Sequence, residues 1–119
     1  GGGQNYTTVF LIKENKLFRY MNWKTKSFPW WMAGNPTHDK KFVGNINVSF
    51  ELDNTDVGII LSRDEKTNRA LWEVRYMLEN MLLQTRSLRI TYKLKVFTKE
   101  EIRKLERHGT SEAVAALLL

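Results

Sequence analysis

Residues 57–97 read VGIILSRDEKTNRALWEVRYMLENMLLQTRSLRITYKLKVF, and this stretch decides the fold class. Residues 57–61 are mostly branched aliphatics and read as a short buried strand. Ser62-Arg63-Asp64-Glu65 then has capping-box spacing, in which a serine hydroxyl accepts a backbone N–H three residues on and the glutamate reaches back. A long helix follows to about Gln84. Leu71, Val74, Leu78, Met81 and Leu82 recur at helical spacing as its buried stripe, widened by Trp72 and Tyr76. Glu65, Arg69 and Glu73 sit four apart on its solvated side. From Leu88 the period changes to two. Leu88, Ile90, Tyr92, Leu94 and Val96 alternate with Arg89, Thr91, Lys93, Lys95 and Phe97, as a strand with a basic outward face does.

Working back toward the start, residues 42–52 place Phe42, Ile46, Val48, Phe50 and Leu52 on one face against Asn47, Ser49 and Glu51, a half-buried strand. Asp53-Asn54-Thr55-Asp56 makes the turn into the next one. Residues 25–41 read as a loop holding both prolines, with Gly34-Asn35-Pro36 marking a turn and Trp30-Trp31 exposed unless something covers them. Residues 6–12 and 17–24 read as two strands joined by the polar turn Lys13-Glu14-Asn15-Lys16. Gly1-Gly2-Gly3-Gln4 is set aside as a disordered or foreign start, which leaves residues 5–119 as one domain.

Beyond residue 97, Thr98-Lys99-Glu100-Glu101 repeats the capping-box spacing and predicts a short helix to about Arg107, closed by His108-Gly109. Ser111 would cap a last helix over residues 112–119, giving a helical hairpin over 99–119. That last segment is apolar nearly all round, so it is expected to be buried in the domain or to join a partner or a second copy. The expected fold is α+β: one mostly antiparallel sheet packed on one long amphipathic helix, with two short C-terminal helices.

A chain of 119 residues, 42% hydrophobic and 27% charged, can bury a core without metals or disulfides. It contains no cysteine, which excludes a disulfide framework, a thiolate zinc site and a cysteine nucleophile. No run is long enough to span a membrane and the start does not read as a signal peptide, so an intracellular protein is expected. The net charge is +6, unevenly spread. Residues 1–50 carry seven Lys/Arg against two acids, residues 51–98 eight against seven, and residues 99–119 four against four. Ten of the fourteen aromatic residues also lie in residues 1–50.

That coincidence points to binding rather than catalysis. The two histidines, His38 and His108, form no metal-ligand spacing, and His108 suits a helix C-terminus. Asp53, Asp56, Asp64 and Glu65 read as turn and cap residues, with a metal-dependent nuclease as the weaker alternative. No catalytic residue, metal ligand or cofactor is assigned. Lysine and arginine release counterions when they meet phosphates, and interleaved aromatics stack on unpaired bases. The candidate set for single-stranded DNA or RNA is Lys16, Arg19, Tyr20, Trp23, Lys24, Lys26, Trp30, Trp31, Lys40 and Lys41. Arg89, Lys93 and Lys95 extend it if their strand lies beside the N-terminal hairpin.

Strands ending at residue 61, Ser62 as a cap and a long amphipathic helix together resemble the strand–helix unit of the whirly-type single-stranded nucleic-acid binders, over about residues 42–84. The resemblance implies sheets that hold the strand and helices that assemble tetramers; it carries over no site residue. The alternative reading is a protein-interaction module or inhibitor that engages a protein through Trp30-Trp31 and the apolar C-terminal helix. Self-association into a homo-oligomer is expected from the terminal leucines.

Overall fold

The computed structural model describes residues 6–20, 40–46 and 57–119. Eight elements are formed in chain order: β1 (Thr7–Lys13), β2 (Lys16–Tyr20), β3 (Lys40–Asn45), β4 (Gly58–Arg63), α1 (Asn68–Ser87), β5 (Lys93–Val96), α2 (Lys99–Arg107) and β6 (Glu112–Leu118). The strands make one sheet in the order β3-β2-β1-β4-β6-β5. Every neighbouring pair is antiparallel. The α+β class and the antiparallel sheet are therefore as expected; the arrangement of helices differs.

Alternation along the central strands sends side chains to two separate cores. Val9 and Leu11 on β1, Ile59 and Leu61 on β4 and Leu117 on β6 pack with Val74 and Met81 of α1. Phe10 and Ile12, Ile60, and Ala116 and Leu118 of the same strands pack on the opposite face with Phe97 and Leu105. One helix thus covers each face, and α1 and α2 flank the sheet as outer layers. A strand covered on both sides must be apolar at every position, which is why β4 reads as a continuous hydrophobic run.

The same reasoning corrects the C-terminus. Residues 112–118 form a strand between β4 and β5, and Ala113, Ala115, Ala116, Leu117 and Leu118 are all buried. An apolar run of seven residues fits an all-round-buried helix or a doubly covered strand, and periodicity alone does not separate them. Pairing on both edges decides for the strand. The terminal leucines from which self-association was expected lie inside this domain. Of the two short C-terminal helices expected, only α2 is formed.

The start of α1 also moves. Ser62 belongs to β4, paired with Thr8 on one side and Ala113 on the other, so it does not cap the helix. Thr67 does, its hydroxyl accepting the Ala70 N–H at 3.2 Å. Arg63 locks this junction: its guanidinium pairs with Glu112 across β4–β6 at 2.6 Å and donates to the Thr67 carbonyl at 3.1 Å. The Ser62 cap that the whirly-type resemblance leaned on is therefore absent, although a strand does precede a long helix. Among the described residues no helix is long and apolar enough to cross a membrane.

The buried side of α1 is Ala70, Val74, Met81 and Thr85, with Met77, Leu78 and Leu82 packed beside them. Trp72 and Tyr76 do not widen it. At about 100° per residue, both are turned roughly 160° away from Val74, and Trp72 is 73% exposed. Thr85, buried inside the helix, is satisfied by donating to the Met81 carbonyl at 2.6 Å.

Residues 88–92 end this helix instead of opening a strand. Ile90 N–H donates to Thr85 O and Arg89 N–H to Arg86 O, both at 3.0 Å, with Arg89 at φ 56°. This is a Schellman closure with arginine where glycine is usual. Only β5 remains of the expected strand, and its faces are inverted. Val96 is 72% exposed, whereas Phe97 is buried and Lys95 half-buried. Leu94 and Val96 lie on the α1 face, since their partners Leu117 and Ala115 do, but α1 packs over β4 and β1.

Candidate nucleic-acid interface

The N-terminal hairpin is set by its turn. Glu14 and Asn15 both take positive φ, 53° and 60°, as a two-residue type I′ turn requires. That fixes Phe10 opposite Arg19 and Leu11 opposite Phe18. β3 then pairs outside β2, with Tyr20 opposite Lys40, Arg19 opposite Lys41 and Phe18 opposite Phe42. Cross-strand partners share a face, so the edge carries two distinct surfaces.

On the α1 side, the Phe18 and Phe42 rings meet edge to face at 5.8 Å, and Lys40 Nζ lies 4.3 Å from the Phe18 centroid. Phe42 is 52% exposed. This overturns its expected place in the core: β3 is the sheet edge and the helix layer does not reach it. Ile46, from the same expected strand, is buried as anticipated; residues 47–52 lie outside the described residues. Tyr20, expected to bind, is buried instead, in the α1-side core.

On the α2 side, Arg19 and Lys41 stand side by side. The β2–β3 register shifts between Leu17 and Phe18, so Val43 is the extra residue of a bulge. The chain after α2 presses against it. Gly109 sits at φ 110°, and a Cβ there would come 3.1 Å from Val43 Cγ1. This glycine closes α2 in a Schellman motif, with Thr110 N–H donating to Leu105 O, as the His108-Gly109 reading expected.

Between the bulge and this chain lies an open cavity of about 320 Å³. Thr8 and Phe10 of β1, Arg19 of β2 and Val43 of β3 line it together with Asp64, Gly109 and Ser111. Asp64 is held by two hydroxyls: Thr8 Oγ1 stands 2.7 Å from Oδ1 and 2.9 Å from Oδ2, and Ser111 Oγ donates to Oδ1 at 2.8 Å. Behind them, buried Ser62 donates to the Thr8 carbonyl at 2.9 Å and stands 3.0 Å from Ser111 Oγ. In the sequence Thr8 is not singled out, Asp64 is weighed only as a turn, cap or nuclease-metal residue and Ser111 only as a helix cap. A threonine, a turn aspartate and a serine spread over a hundred residues carry no spacing signal. Among the described residues no three His, Cys, Asp or Glu side chains gather to hold a metal ion.

The candidate cations are not brought together. Lys16, Arg19, Lys40 and Lys41 are on β2 and β3, but Lys93 and Lys95 are on β5 and Arg89 just before it, at the opposite sheet edge. Five strand spacings of about 4.8 Å separate the two edges by roughly 24 Å. Lys95 moreover pairs with Glu101 at 2.9 Å. Burial alone would push the Glu101 carboxyl up, but the Thr98 N–H and the Lys95 ammonium together hold it below its ordinary value. Lys93 and Lys95 therefore do not extend the N-terminal surface. Trp23, Lys24, Lys26, Trp30 and Trp31 lie outside the described residues, between β2 and β3 in the sequence.

A different exposed surface runs along α1, where Trp72, Tyr76 and Leu83 are 73%, 53% and 61% exposed. Compared with known proteins, the chain matches no protein-family model, no curated protein and no solved structure.

Proposed function

We propose that this chain is a nucleic-acid-binding domain that takes single strands at the β2–β3 edge. One observation carries the reading: Phe42 stands exposed on an edge strand with Lys40 and Lys41 immediately before it and Arg19 across from Lys41. An unpaired base has a free face to lay on Phe42, with Phe18 bracing the ring from behind. Base–aromatic stacking of this kind is worth about 1–3 kcal/mol. Lys16 and Lys40, on the same face, then meet the phosphates beside it, and Arg19 and Lys41 meet those of a strand that crosses the edge to the opposite face. A duplex keeps its bases stacked on one another and offers Phe42 nothing.

Anisotropy titration of a labelled single-stranded oligonucleotide at several salt concentrations tests this. Binding should weaken with salt, and Phe42→Ala should weaken it about tenfold, within that stacking range. No binding at low salt, or binding indifferent to Phe42→Ala, would end the proposal.

A second reading, a protein-interaction module, draws on the outer face of α1. Trp72, Tyr76 and Leu83 follow one another at i, i+4 and i+11 among Arg69, Arg75 and Arg86. Trp, Tyr and Arg are the residues most enriched at binding hot spots. An acidic amphipathic helix is the complementary partner. Trp72→Ala should abolish such an interaction and leave oligonucleotide binding untouched.

A further inference from the structure

We infer that the cavity beside the β2–β3 edge selects RNA over DNA, with Asp64 accepting a hydrogen bond from a ribose 2′-hydroxyl. The inference rests on the reading of that edge as a single-strand site and specifies its substrate.

Arg19 on β2 and Asp64 just past β4, the two strands that flank β1, line one cavity yet form no ion pair with each other. Opposite charges at hand but apart leave room for a ligand that meets both, with an anion toward Arg19 and a donor toward Asp64. Lys41, next to Arg19, adds to the anion side. Asp64 is also preorganised. Thr8 Oγ1 lies within donating distance of both carboxylate oxygens and Ser111 Oγ donates to Oδ1, which orients the carboxylate, and about four lone-pair positions exceed those two donors. The residue is exposed and lines the cavity, so its carboxylate keeps acceptor capacity for a ligand there.

The required pairing of groups is specific. In an RNA strand each phosphate has a 2′-hydroxyl on the sugar next to it, a donor within a few bonds of the anion. An internal deoxyribose has no hydroxyl at all. The 2′-hydroxyl is the group by which a protein tells the two apart. A volume of about 320 Å³ lies at the small end for a ligand site, enough for one sugar and its phosphate and too little for a base pair.

The test compares matched single strands of uridine, deoxyuridine and 2′-O-methyluridine, a methylated sugar that keeps the oxygen but cannot donate. Anisotropy titrations use the wild-type chain, Asp64→Asn, Asp64→Ala and Phe42→Ala. RNA should bind about tenfold tighter than either other strand, the factor expected of one hydrogen bond to a charged acceptor. Asp64→Ala should remove that margin without weakening deoxyuridine binding, and Asp64→Asn should reduce it; thermal melting checks that both variants fold. Equal affinity for the three strands, or an RNA margin that survives Asp64→Ala, overturns the inference. If Phe42→Ala still weakens all three strands in that case, the edge remains a single-strand site without sugar selectivity. If none of the strands binds, both readings fall together.

Discussion

Two residues occupy backbone conformations that their side chains disfavour, and both shape the fold. Arg89 closes α1 at φ 56° and Glu14 opens the hairpin turn at φ 53°. A left-handed conformation costs a non-glycine residue roughly 1–2 kcal/mol. Arg89→Gly should therefore raise stability by about 1 kcal/mol in urea denaturation, with oligonucleotide affinity unchanged because residue 89 is at the far edge. A loss of stability would mean that the arginine side chain contributes more than its backbone costs. Glu101 makes a separate prediction. Its carboxyl titrates below its unfolded value, so the folded state binds fewer protons than the unfolded one around that pH. The stability it supplies is complete above the unfolded glutamate value of about 4.3 and is lost as pH falls through the folded value. Melting temperatures measured from pH 7 to pH 3 should fall more steeply for wild type than for Glu101→Gln.

Some elements were legible because two kinds of signal agreed. The hairpin turn and the Thr98 capping box combine a hydrophobic pattern with a turn or cap residue at the correct place, whereas β4 and the body of α1 were legible from their apolar pattern alone, the cap of α1 being Thr67 and not Ser62. The misreadings occurred where a single signal had two physical sources. Residues 88–97 alternate well, yet 88–90 close a helix and only 93–96 pair, on one edge, so Val96 faces open solvent and Lys95 is half-covered. Nothing in an alternating run says which face a helix will cover. Phe42 was misplaced for the same reason, and as a consequence an exposed aromatic of the candidate edge was assigned to the core. The cavity residues Thr8, Asp64 and Ser111 are brought together only by the pairing of β1, β4 and β6, which no local pattern specifies. Two substitutions check the assigned faces. Leu117→Ala removes a side chain buried between α1 and the sheet and should cost about 2–5 kcal/mol. Val96→Thr should change stability by less than about 0.5 kcal/mol, although the alternation alone makes Val96 a core residue.

Over the whole molecule, the sheet separates its cations onto two edges, which lets charge and site be told apart. If the excess charge of +6 attracted nucleic acid without a site, reversing a lysine on either edge would matter equally. With the site at β2–β3, Lys41→Glu should weaken single-strand binding severalfold and reduce the dependence of log affinity on log salt by about 0.7, the value for one phosphate contact on a single strand. Lys93→Glu should leave both nearly unchanged at physiological salt, because 24 Å is about three Debye lengths there. The order of strands has one more outcome. β6 is inserted between β4 and β5, yet it follows both of them along the chain. During synthesis the N-terminal five-sixths of the sheet's partners emerge from the ribosome with an open seam beside β4 and with β5 unpaired. The core on both faces stays incomplete until residue 118 has cleared the exit tunnel. Folding of this domain consequently waits for its last strand and is governed by long-range pairing, and the open flank of β4 is the surface left uncovered in the meantime.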